Sequence, residues 1–501
     1  MNPLWRNRLI AAGSALLAVV IGWKIAEGSY ALAVMAGAIA GAVGLVMLLR
    51  VPFDVIVVGG LLVGYIIGNR GFAQISFVPG LPLLPAEAGL MICLICLATR
   101  SAFAKTLPLR HDALNVTVAL WIAIGTARIV PDVRAYGVLA LRDFAMVYYA
   151  SFFFVAQALA ETARTRVFFD GCLRWATVVL IPLSELVRRF PNFFIRTLAV
   201  GGIPLIFFKG DLVATFMAIG VLFSHRRWEA TRRVAWLAVA LLGVVGVIVS
   251  ENRASLVGLA VATAWLAAGR QWGLLRLQLV GAAGAVLILL AGIALGIVSP
   301  RDNAGAHLYE RVVSMVDVTG TRAYDSPEVE FKGDNNRFRL IWWQAVAEDT
   351  IDQAPWFGLG FGYDLTATFL QRYYPSSDED FSARSPHSVL FSVFGRMGVV
   401  GLLPFVGIAA VLGRRTGQTL RPSVSNRDDP TAWLAAWVIL TSACFGVVLE
   451  GPMGAVMFWT LLGIANATRR TKGTTKEEVS AATAVEDLRN TAPAIQVVSA
   501  P

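Results

Sequence analysis

The sequence predicts an all-α polytopic membrane protein of about 12 to 14 transmembrane helices with one long, partly helical, water-facing loop. Three observations carry this. Over 501 residues, 56% are hydrophobic and only 15% charged, a profile that excludes an ordinary water-soluble domain. Apolar runs of spanning length recur along almost the whole chain, and in hydrocarbon only a helix satisfies its own backbone over such a run. The net charge of +10 comes from Lys and Arg placed between the runs, the pattern that orients helices in a membrane and not a nucleic-acid surface.

Taken in order, the runs place spans at roughly 8 to 22, 30 to 49, 51 to 68, 86 to 100, 112 to 128, 143 to 161, 171 to 187, 210 to 224, 234 to 251, 254 to 268, 277 to 298, 387 to 411, 432 to 449 and 452 to 468. The first has the charged start and apolar core of a signal peptide, but no small-residue cleavage site closes it, so it reads as a retained helix. Cys93 and Cys96 sit in the apolar AGLMICLICLA, where a metal would find no polar partners, and read as small hydrophobes, as do Cys172 and Cys444.

With the N-terminus inside, alternation gathers on one side Arg6 and Arg8, Arg100 to Arg110, Arg164 with Arg166, Arg226 to Arg233, Arg270 with Arg276, Arg414 to Arg427, and Arg469 to Lys472. The other side, the outside, receives 69 to 85, 129 to 142, 188 to 209, the tips at Glu251 to Arg253 and Glu450 to Gly451, and the long loop. The chain thus divides into N-terminal spans (1–298), the large loop (299–386), C-terminal spans (387–468) and a flexible cytoplasmic tail (469–501) rich in Thr, Ala, Glu and Val. Within the loop, residues 301–386 hold fourteen Asp and Glu against eight Lys and Arg. Trp342, Trp343, Trp356, Phe357 and Phe361 supply apolar anchors, and RLIWWQAVAEDTI reads as a helix ending before Pro355.

Chemistry is expected around this outer face. His387 stands at the entrance of a span after Pro386; such a histidine is either interfacial or, when neutral, a general base for a hydroxyl. Arg253 follows Glu251 and Asn252 at a tight turn, and either pairs with Glu251 or marks a functional site. The connector 188 to 209 carries Arg188, Arg189, Arg196 and Lys209, an outer basic cluster that topology does not explain and that phosphate would. Arg337 and Arg339 open the Trp-Trp helix and either face the same cavity or pair with the acidic loop. Asp378, Glu379 and Asp380 read as a solvated run and not a metal site, and no phosphate-binding Gly-rich loop is present. No cofactor, metal or nucleic acid is therefore expected. One imidazole and several guanidiniums on the outer face suit transfer from a lipid-linked diphosphate sugar, the arginines neutralising the leaving diphosphate. A transporter or flippase of the same lipid-linked saccharide is the alternative, but would place charges nearer mid-span.

The series ENRASLVGL, NRFRLIWWQAVAEDTIDQAPWFGLGFG and PHSVLFSVFGRMGVVGLL resembles the bacterial O-antigen ligase and polymerase superfamily over roughly 190–415. The resemblance implies an inner-membrane glycosyltransferase whose active site faces the periplasm and whose donor is undecaprenyl-diphosphate-linked glycan. Such an enzyme acts as a surface or exopolysaccharide polymerase, or as a ligase onto lipid A core in lipopolysaccharide biosynthesis. Glycan or lipid A core is then the acceptor, membrane lipid surrounds the protein, and a polysaccharide chain-length regulator is a candidate partner. It implies His387 as catalytic residue and Arg253 and Arg196 as diphosphate ligands, with Arg188 and Arg189 competing for the place of Arg196. Gly358 and Gly360 match the family's turn after Pro355. Ser388 replaces the usual Asn, and Arg396 stands where the family commonly has Glu, reversing a charge.

Overall fold

The computed structural model describes residues 51–76, 83–105, 109–200, 202–250, 252–295, 327–373, 384–421 and 429–467. The expected spans at 8 to 22 and 30 to 49, the Asp378 to Asp380 run, Glu251 and the C-terminal tail lie outside them. Within them the chain is helical, apart from a two-residue antiparallel pair, β1 (Ala199–Val200) with β2 (Ile203–Pro204).

The helices fall where the apolar runs predict them. In chain order they are α1 (Phe53–Ile67), α2 (Pro85–Ala104), α3 (Ala113–Tyr136), α4 (Val138–Tyr148), α5 (Ser151–Leu159), α6 (Ala163–Arg189), α7 (Gly210–Thr231), α8 (Val234–Val249), α9 (Arg253–Ala268) and α10 (Gly273–Ala294). The loop contributes α11 (Pro327–Gln353) and α12 (Ala367–Tyr373), and the C-terminal part α13 (Val389–Leu420), α14 (Thr431–Cys444) and α15 (Pro452–Ala467). Among the described residues, α2, α3, α4 with α5, α6 and α13 are long and apolar enough to cross a membrane. Shorter apolar helices are α1, α8, α9, α14 and α15.

Local chemistry sets the boundaries. Asp112 starts α3 by accepting from the amides of Leu114 and Asn115, both at 3.0 Å, and Asn252 starts α9 by accepting from Ser255 N at 2.8 Å. Asn69 has a positive φ (+52°), and its Oδ1 accepts from Arg70 N at 3.0 Å and Lys209 N at 2.9 Å. That one side chain ties the end of α1 to the entrance of α7.

At the centre stands α7, buried on every side from Leu212 to His225, as befits a helix apolar all round. It packs against α8, α14, α6 and α9, while α5 packs on α15 and α3 on α13. At the end of the bundle opposite His387, Asn115, Gln157 and Asn466 share hydrogen bonds of 2.6–3.0 Å. These fully paired amides join α3, α5 and α15, where an unpaired amide would be costly.

Two sequence expectations are corrected. The stretch 129 to 142 is not a connector: α3 continues to Tyr136 and turns at Gly137 (φ +57°) straight into α4. The span expected at 387 to 411 runs to Leu420 and is broken at Gly398 (φ +61°, ψ −159°).

The loop turn after Pro355 repairs that break. Leu359 N donates to Gly395 O at 2.7 Å, while Val399 N and Val400 N donate to the carbonyls of Pro355 and Trp356 at 2.9 and 3.0 Å. A kink in a spanning helix is tolerated when other groups satisfy the freed backbone. The fit requires glycine. A methyl on Gly358 (φ +72°) would lie 2.4 Å from Met397 N, and one on Gly398 2.5 Å from Trp356 O. The turn is held from its other side by Arg128, whose Nε and Nη2 donate to the carbonyls of Phe357 and Gly358, and by Asp132, which accepts from Phe361 N at 2.7 Å. Of the five expected aromatic anchors, Trp342 and Phe361 are buried, whereas Trp356 and Phe357 are exposed at 65% and 62%.

Candidate active site

The loop lands on the end of the bundle where α7, α9 and α13 begin and where the turn 445–451 joins α14 to α15. His387 sits two residues before α13 in the left-handed conformation (φ +54°). That backbone costs a residue with a Cβ about 1–3 kcal/mol and persists where its surroundings over-determine it, often at active sites. Those surroundings are the Trp-Trp pair. Trp343 Nε1 donates to Pro386 O at 2.6 Å, and the Trp342 ring lies 5.5 Å from the imidazole at 65°, itself fixed by donating to Leu365 O at 2.9 Å.

Cations surround the imidazole. Arg339 Nη1 donates to Phe445 O at 2.9 Å, and Lys209 Nζ donates to Val447 O at 3.1 Å while lying 3.2 Å from Asp211. Arg253, at the start of α9, is close enough to Arg339 to oppose its charge. Burial, then Arg339 and Lys209, push the imidazole down to about 4, with Asp211 and a hydrogen bond to the Ser385 backbone acting the other way. Histidine ordinarily titrates near 6.5, so His387 is neutral at neutral pH.

On its other side His387 borders a cavity of about 180 Å³ lined also by Ser385, Arg384, Arg142, Arg396, Asp143, Val447 and Glu450. Arg396 Nη1 lies 2.6 Å from Asp143 Oδ2, which also accepts from Gly362 N at 3.0 Å. Ser392 donates to Glu450 Oε1 at 2.5 Å. Burial outweighs the serines and Arg396 and raises the Glu450 carboxyl above its usual range.

The structure therefore brings His387, Arg339 and Arg253 together with Lys209. It does not bring the others in. Arg188 pairs with Glu185 at 2.8 Å on the exposed end of α6, Arg189 is exposed beside it, and Arg196 is exposed in a short turn, Phe193–Thr197. Arg337 is exposed on α11. Sequence reading passed over Asp143, Arg142 and Glu450 as site residues. The signal was there, because each is an ionisable residue inside or against an apolar run, in VLALRDFAM and VVLEGPM. The reversed charge at Arg396 is met by Asp143 from α4, and Glu450 supplies a second carboxyl to the same cavity from the turn between α14 and α15.

Residues 237–406 match the O-antigen ligase family. This match supports the resemblance to the O-antigen ligase/polymerase superfamily over that stretch. The matched stretch holds Arg253, Arg337, Arg339, His387 and Arg396; Lys209, Asp143 and Glu450 come from outside it. No curated protein matches the chain.

Proposed function

We propose that the protein transfers oligosaccharide from an undecaprenyl-diphosphate carrier at the periplasmic face of the inner membrane, as a surface-polysaccharide polymerase or an O-antigen ligase. The observation that carries the reading is a neutral histidine set between a cluster of cations and a polar cavity. Its lone pair is free to accept the proton of an attacking sugar hydroxyl. The hydroxyl oxygen then bonds to the anomeric carbon as the bond to the diphosphate breaks. Arg339, Arg253 and Lys209 stabilise the charge that develops on the leaving diphosphate. Arg189, Arg196 and Arg337 remain proposed only as outer contacts for the carrier's phosphates, on the strength of their charge.

The test is a gel of products from the purified protein in detergent, supplied with polyprenyl-diphosphate oligosaccharide alone. A ladder of longer glycans is the expected result for a polymerase. An unextended band, followed by a shifted band when lipid A core is added, identifies a ligase; no product under either condition overturns the transferase reading.

The site also fixes a pH profile. A base is active only when unprotonated, so a histidine titrating near 4 keeps kcat/KM flat down to about pH 5 and lets it fall about tenfold per unit below the midpoint. Initial rates across the acid range measure it. A midpoint at the ordinary histidine value would show that the cations and burial do not act on His387 as described.

A further inference from the structure

The cavity beside His387 holds more positive charge than its own carboxylates answer. Asp143 Oδ2 is taken by Arg396 and the Gly362 amide, and Glu450 Oε1 by Ser392. Arg384 and Arg142 line the same cavity, and neither is within ion-pair distance of a carboxylate among the described residues. Arg384 Nη2 donates to Gly362 O at 2.7 Å, a contact that fixes the guanidinium without neutralising it. Its Nε is buried with no hydrogen-bond partner among the described residues. A guanidinium fixed at a small polar space with one N–H left unpartnered and no carboxylate to answer its charge calls for a ligand with oxygen acceptors.

The cations proposed for the diphosphate lie elsewhere: Lys209 and Arg339 are held on the carbonyls of 445–447. What remains at the cavity suits a planar anion carried on a sugar. A guanidinium presents a planar fork that matches a carboxylate, while Ser385, Asp143 and Glu450 offer partners to ring hydroxyls. At about 180 Å³ the space is below the size of a drug-sized pocket and suits a single sugar ring.

We propose that this cavity binds an acidic sugar of the acceptor glycan, with Arg384 and Arg142 gripping its carboxylate so that the hydroxyl to be glycosylated meets His387. The assignment of the sugar to the acceptor rests on the transferase reading above. The carboxylate selects which glycan is extended, and the protein acts on uronate-containing chains.

The test is a titration of the purified full-length protein in detergent with methyl β-D-glucuronide and with methyl β-D-glucoside, followed by tryptophan fluorescence, since Trp343 is bonded to Pro386 beside the site. The glucuronide is expected to bind at least about tenfold tighter, the scale of one charge-assisted contact. Arg384→Gln is expected to abolish that preference while leaving glucoside affinity and the melting temperature unchanged. Equal affinity for the two glycosides would overturn the proposal. So would inorganic pyrophosphate displacing the glucuronide competitively with Arg384→Gln weakening both, because the cavity would then belong to the donor. Preference for glucuronide without any transfer product in the gel assay would leave the acidic-sugar site standing and remove the transferase reading, so the two fail separately.

Discussion

His387→Ala is expected to lower transfer by about 10²–10⁴-fold, the usual contribution of a positioned general base, with the protein still folded in the membrane. The imidazole meets the Trp342 ring edge-on and stands ahead of α13, so its removal takes little packing with it. Alanine at φ +54° carries its own strain, and His387→Asn is the control, because Asn tolerates that conformation and offers no base. Both variants should melt near the wild-type temperature and both should be inactive in the gel assay. Activity retained in His387→Asn would mean that the hydroxyl loses its proton to another group, with the Glu450 carboxyl an alternative at the same cavity.

The helices were legible because in a membrane the alphabet is short. A run of apolar residues has one structural outcome, and the positions read from 51 onward each hold a helix. The features missed are those that depend on a partner distant in sequence. Nothing local to GRMGVVG says that the helix breaks at Gly398; the break is stable because Pro355, Trp356 and Leu359 supply the backbone partners that α13 lacks. The same holds for the turn PWFGLGFG. Its glycines look like a ligand loop, and the structure uses Gly358 for close approach to α13.

Within the site, His387 and Arg253 were legible because a polar residue at a helix entrance is conspicuous; Arg339 was read as opening its helix, but α11 begins twelve residues earlier, at Pro327, and carries Arg339 in its interior. The cluster at Arg188, Arg189 and Arg196 was conspicuous too, but the long α6 carries Arg188 and Arg189 out to its exposed end, and Arg196 stays on the surface beyond it. Glu450 and Asp143 become site residues only when α14 and α4 are brought beside α13. Charge reversal at Arg396 looked like a lost interaction, and it is one half of a pair whose other half lies more than two hundred residues earlier.

That pair is also where a single change should do most damage to the fold. Arg396 and Asp143 have side chains only 3% and 9% exposed, and Asp143→Ala strands a guanidinium where water cannot reach it. Removing one partner of a buried pair costs about 3–5 kcal/mol, a large share of the stability of a typical domain. Asp143→Ala also removes the acceptor of the Gly362 amide, loosening the turn that repairs α13. Asp143→Asn keeps that acceptor and loses only the charge, so it should fall between Ala and wild type in thermal unfolding. The double variant Asp143→Leu with Arg396→Leu removes both charges and should recover most of the loss, since replacing a whole buried pair by apolar residues is often neutral. It should not recover activity, because both residues line the cavity beside His387. Wild-type melting of Asp143→Ala would show that Glu450 alone compensates Arg396, and that the pair serves the cavity and not the fold.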